Sequence, residues 1–143
     1  MLANELYDFI AERSMSREFN RYFQQLPEEQ QIMVGLELLA LRTWTVSHTI
    51  NKLFGQTQDW LISDIERQLI QDCGDNLFQF IALRCTSYGG YMKLPSGMQY
   101  VSSMFKSNIQ QIHPGFKTIP DDEIQYMIDL FLQAPREIIK KYV

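Results

Sequence analysis

The sequence predicts an all-α fold: a single-domain bundle of about six helices around one long central helix, with residues 1–143 forming one unit. Three observations predict it. Apolar residues recur at three- and four-residue spacing through most of the chain, which is the period of a helix face. Two similar start signals, Leu26-Pro27-Glu28-Glu29 and Ile119-Pro120-Asp121-Asp122-Glu123, place a proline where a helix tolerates one and acids where its positive end favours them. Across residues 28–54 the apolar side chains fall on most sides of a helix, as expected of the central member of a bundle.

Taken in order, Leu6, Phe9 and Ile10 share a helix face. After Ser14 and Ser16, either of which can cap a new turn, Phe19, Tyr22, Phe23 and Leu26 continue the pattern, giving one broken or two short opening helices. The long helix then begins at Pro27. Its first stripe is Ile32, Leu36, Leu39, Thr43, Val46, Ile50 and Leu53, and Val34, Leu38, Leu41 and Trp44 add apolar surface on other sides. Gly55 is placed to end it. Thr57 can cap the next helix, whose stripe is Leu61, Ile65 and Leu69 and which stops near Gly74.

Residues 77–94 admit two readings. Leu77, Phe78, Phe80, Ile81 and Leu83 suit a buried helix, whereas Tyr88-Gly89-Gly90-Tyr91 can turn a small hairpin. The expectation is helix as far as Arg84, then loop. Ser96-Gly97-Met98-Gln99 has capping-box spacing ahead of a face formed by Met98, Val101, Phe105, Ile109 and Ile112, which must stop before Pro114-Gly115. Ile124, Met127, Ile128 and Phe131 follow the second proline signal. Pro135 then introduces a last short helix with Ile138, Ile139 and Tyr142, and Lys140 and Lys141 lie near its negative end.

A chain of 143 residues, 45% hydrophobic and 21% charged, can bury a core without metal or disulfide support and lacks the composition of a disordered segment. Acids rather than bases follow Met1, so no export signal is expected. The most apolar stretch, 32–50, is interrupted by Glu37, Arg42 and His48 and fails as a membrane span. The expectation is a soluble, cytoplasmic protein with Cys73 and Cys85 reduced.

Charge is segregated along the chain. Residues 76–120 contain no Asp or Glu, although the protein has 17 acids, and they carry Arg84, Lys93, Lys106 and Lys117 together with His113. Local potential depends on nearby charges, so this stretch is a candidate for contact with an acidic partner. Within it, Thr86 to Ser96 interleaves tyrosine with glycine and serine, the chemistry of many recognition loops. The candidate partner-binding residues are Arg84, Tyr88, Tyr91, Met92, Lys93, Lys106, His113 and Lys117. If the loops near Tyr91 and His113 share one end of the bundle, they form a basic, aromatic patch. The alternative is that Tyr88, Tyr91 and Tyr100 pin the loop to the bundle.

Catalytic constellations are sparse. His48, Cys73, Cys85 and His113 lack the short spacing of a zinc site, no Glu-x-x-His pair suggests a di-iron bundle, and no glycine-rich phosphate cradle is present. No catalytic residue, metal or cofactor is assigned. Cys85 with His113 is the one conceivable thiol–base pair. Trp44, Trp60, Met33 and Met104 could line a small-molecule pocket between helices. Arg42-Thr-Trp-Thr-Val-Ser-His48 resembles the Arg-x(4–6)-His element of the HEPN ribonucleases, which are small all-helical proteins. That resemblance implies phosphate stabilisation by Arg42 and acid–base cleavage of RNA by His48, without a metal. On a regular helix, however, residues six apart lie about 120° apart around the axis.

These features predict a protein-interaction module without catalytic activity, such as an adaptor, a chaperone or a neutralising partner of the immunity type. Its partner is another protein. Nucleic acid is disfavoured because four bases over this length neutralise few phosphates.

Overall fold

The computed structural model describes residues 1–12 and 15–142. They form seven α-helices: α1 (Leu2–Ala11), α2 (Arg17–Gln24), α3 (Glu28–Phe54), α4 (Asp59–Cys73), α5 (Asp75–Met92), α6 (Gly97–Ile112) and α7 (Asp121–Lys140). Short 3-10 turns at Gly55–Gln58 and Pro114–Thr118 join α3 to α4 and α6 to α7. No described residue is in a strand, and no helix among the described residues is long and apolar enough to cross a membrane.

Helix α3 is the axis, packing against α1, α5, α6 and α7. From Leu38 to Val46 only Leu39 is not fully buried, so this segment is enclosed on nearly every side. The polar residues in it are satisfied locally or by neighbours. Thr43, Thr45 and Thr49 donate their hydroxyls to the carbonyls of Leu39, Arg42 and Thr45, which costs little because each bond stays within the helix. The predicted stripes of α1, α4, α6 and α7 all face this axis or one another as a single core.

Several local expectations are met. Ser16 caps α2 by accepting the Phe19 N–H at 3.3 Å, while Ser14 lies outside the described residues. Gly55 and Gly74 end α3 and α4 at positive φ, where a side chain is strained. Others require correction. Thr57 does not cap α4; its hydroxyl donates to the Phe54 carbonyl inside the 3-10 turn. Ser96 makes no side-chain cap and takes a left-handed conformation instead.

The largest correction concerns residues 85–92. Helix α5 does not end at Arg84 but runs through Gly89 and Gly90 to Met92, and neither glycine has positive φ. The anchor is Tyr88, fully buried with its ring 5.8 Å from Trp44. Burying an aromatic of this size outweighs the helix cost of two glycines, about 1 kcal/mol each. Pro135 likewise fails to break the final segment: α7 is one helix through it. Phe131, Pro135 and Ile139 are successive buried residues at four-residue spacing, so packing on that stripe holds the two halves in line despite the missing N–H at the proline.

Candidate functional site

The turn from α5 to α6 is a tight corner. Lys93 and Leu94 donate their N–H groups back to Gly90 and Tyr91, closing the C-terminal end of α5. Helix α6 then starts against that end: a Cβ on Gly97 would lie 2.5 Å from the Met92 carbonyl oxygen, a distance no side chain tolerates. Only glycine permits this approach. The close crossing brings Tyr91 of α5 and Tyr100 of α6 into a stack, with ring centroids 6.2 Å apart and planes 20° apart. Tyr100 is 49% exposed, Leu94 in the turn is 47% exposed, and Lys93 projects beside them into solvent.

The eight residues named from sequence divide sharply. Tyr91, Met92 and Lys93 lie at this corner, Tyr91 and Met92 also packing partly against the core. Tyr88 does not: it is fully buried one turn earlier, where burial raises its hydroxyl well above the usual tyrosine range. Its hydroxyl and the Asn108 amide nitrogen are close neighbours, but neither reaches full hydrogen-bond geometry with a partner. Arg84 is engaged within the bundle and only partly exposed. Its Nε lies 2.8 Å from the carboxylate of Glu37 on α3, and its guanidinium sits 4.9 Å from the Phe80 ring centroid. Lys106 is held 2.7 Å from Asp121 on α7.

Folding therefore brings in the acids that are absent from residues 76–120, and two of the four cations are neutralised. Lys93 and Lys117 form no ion pair among the described residues. They do not combine into one patch either. Lys93 precedes α6 and Lys117 follows it, and a helix of 16 residues separates its ends by about 24 Å. His113 lies with Lys117 at the far end, where its Nδ1 accepts the Gly115 N–H at 2.9 Å.

Leu94 and Tyr100 complete the corner and were not among the eight. The available signal was a pair of tyrosines flanking Leu94-Pro95-Ser96-Gly97, which reads as a stacked pair only once the two helices on either side are known to cross closely.

The other chemical candidates are each engaged by neighbouring groups in the fold. Arg42 is 4% exposed, donates from Nε to the Ile10 carbonyl at 3.0 Å and faces Phe131; burial draws its guanidinium down to about 10, opposed by Glu12. His48 is half-buried and stacks on Trp44 at 5.2 Å. Cys85 points its sulfur toward the Ala40 carbonyl, and burial, with Glu66 nearby, pushes the thiol up to about 12, the opposite of an activated nucleophile. Trp44 is a core residue, whereas Trp60 and Met33 stand on the surface, so the four residues do not enclose a pocket. Among the described residues, no group of three or more His, Cys, Asp and Glu is arranged to hold a metal ion.

No protein-family model matches this chain, and neither the curated proteins nor the solved structures contain a significant match to it.

Proposed function

We propose that this chain is a protein-interaction module whose contact surface is the α5–α6 corner: Tyr91, Lys93, Leu94 and Tyr100. The observation that carries the reading is the exposed tyrosine stack on a rigid corner, with Leu94 beside it. Tyrosine gives large contact area at low entropy cost, and a corner fixed by Gly97 loses little further freedom on binding. Lys93, in the turn between two helices that contain no acid beyond Asp75, adds a cation with no ion pair among the described residues, so the fitting partner presents acidic as well as apolar side chains. An adaptor, a chaperone or a neutralising partner of the immunity type would each use such a surface stoichiometrically.

The test is capture from native lysate, after nuclease treatment, with the wild-type chain and with Tyr100→Ala and Leu94→Asp. Leu83→Asp serves as the control, since Leu83 is 65% exposed on α5 but lies away from the corner residues along the helix. A partner recovered in stoichiometric amount by wild type and Leu83→Asp, and lost by the corner variants, is the expected result. Recovery that depends on nucleic acid, or that all three variants share, would overturn the reading.

A further inference from the structure

At the other end of α6, the α2–α3 turn and the 3-10 turn at Pro114–Thr118 face each other across a cavity of about 260 Å³, lined chiefly by Tyr22, Gln25, Leu26, His113, Phe116 and Thr118. Both walls are fixed before anything binds. In one, the Gln31 side-chain amide donates to the carbonyls of Phe23 and Leu26 at 3.2 and 3.1 Å. In the other, the N–H groups of Phe116 and Ile119 donate to the carbonyls of His113 and Phe116, each at 3.1 Å, and the Thr118 hydroxyl donates to the Gly115 carbonyl at 2.8 Å.

The floor is apolar. Phe116 is 1% exposed and stacks on Phe19 at 5.4 Å and 16°, and Leu26 is buried beside it. The polar groups are Tyr22, Gln25, Thr118 and His113, and none of the described residues that line the space is charged. His113 supplies direction. Its Nδ1 accepts the Gly115 N–H, which leaves that nitrogen without a proton and places the ring proton on Nε2. The free polar edge of the imidazole is therefore a hydrogen-bond donor. Gly115 is required for this arrangement, because a Cβ there would lie 2.8 Å from the imidazole.

We propose that this cavity binds a small, uncharged, planar molecule carrying a hydrogen-bond acceptor, of the aromatic amide or nitrogen-heterocycle class, with its ring against Tyr22 and Leu26 over the buried Phe116 and its acceptor on the His113 Nε2–H. The volume is a little under the roughly 300–1,000 Å³ of ordinary ligand pockets and holds about nine water-sized groups at about 30 Å³ each. An anion loses its hydration without gaining a cation in this lining, and a hydrocarbon leaves the imidazole donor unpaired. The site stands apart from the α5–α6 corner and does not depend on that surface's role.

Benzamide has the right size and acceptor to serve as the probe, titrated into the full chain while backbone amide ¹H–¹⁵N shifts are followed. Saturable shifts are expected at Gly115 and Phe116 with Kd on the order of 1 mM, and benzoate and toluene should bind about tenfold more weakly or worse. His113→Phe keeps a ring and removes the donor, weakening benzamide about tenfold. Gln25→Trp, at an exposed rim position, fills the space and abolishes binding even if the histidine variant fails to fold. Absence of saturable shifts at these amides up to ~10 mM benzamide, equal binding of toluene, or binding unchanged in Gln25→Trp would overturn the proposal.

Discussion

Glu37 and Arg84 show how a residue's sequence neighbourhood can mislead. They are 47 positions apart, and their side chains are 5% and 29% exposed, so the carboxylate is sealed in while the guanidinium retains access to water. The pair should therefore respond asymmetrically to mutation. Arg84→Ala leaves a buried, uncompensated carboxylate and should cost about 3–5 kcal/mol in urea unfolding, whereas Glu37→Gln should cost at least about 1 kcal/mol less because Arg84 can turn to solvent. Equal or reversed costs would contradict the burial pattern. His48 gives a second test at this scale. Burial first, then Lys52 and Arg136, hold its imidazole below the ordinary 6.5, so the neutral ring is the folded form. Just below that pH the unfolded chain binds the extra proton more readily than the folded one, so stability is full above about pH 6.5 and declines as pH falls toward the folded value. Between about pH 7.5 and 5.5, His48→Gln should lose less stability than the wild type in urea unfolding. An equal or steeper decline in the variant would count against a depressed His48.

The helices themselves were largely legible, because buried stripes such as Leu61, Ile65 and Leu69 repeat at helix spacing regardless of what covers them. The failures came where a local signal competed with a distant contact. Gly89-Gly90 reads as a turn on its own, and Pro135 as a break, yet Tyr88 is anchored on Trp44, 44 residues upstream, and Pro135 sits in a buried stripe. Nothing near either glycine in sequence reveals that anchor. Two glycine substitutions separate the readings. Nothing lies within 4 Å of a Cβ on Gly89, so Gly89→Ala should stabilise the protein by about 0.5–1 kcal/mol, as expected inside a helix and not in a hairpin turn. Gly97→Ala meets the Met92 backbone and should cost more than about 2 kcal/mol while disturbing the Tyr91–Tyr100 stack. Thermal or urea midpoints of both variants decide the matter, and a destabilised Gly89→Ala would contradict a helical α5 at that position.

For the whole molecule, charge segregation in sequence does not become charge segregation in space. Asp121 and Glu37 reach into the acid-free stretch from α7 and α3, and α6 holds Lys93 and Lys117 at opposite ends. The candidate site was therefore only partly legible: Tyr91, Met92 and Lys93 were visible as a segment, while the departure of Tyr88, Arg84 and Lys106 depended on partners 15 to 47 residues away. What survives is a small aromatic corner rather than a basic face. Its binding should depend on Leu94 and Tyr100 more than on ionic strength, since one unpaired lysine is screened by salt but apolar contact is not. The most direct measurement is the Kd of a purified partner for the wild-type chain, Leu94→Asp and Leu83→Asp. The corner interface predicts at least a tenfold loss, about 1.4 kcal/mol, for Leu94→Asp with Leu83→Asp unchanged. Equal affinity for Leu94→Asp and the wild type would contradict it.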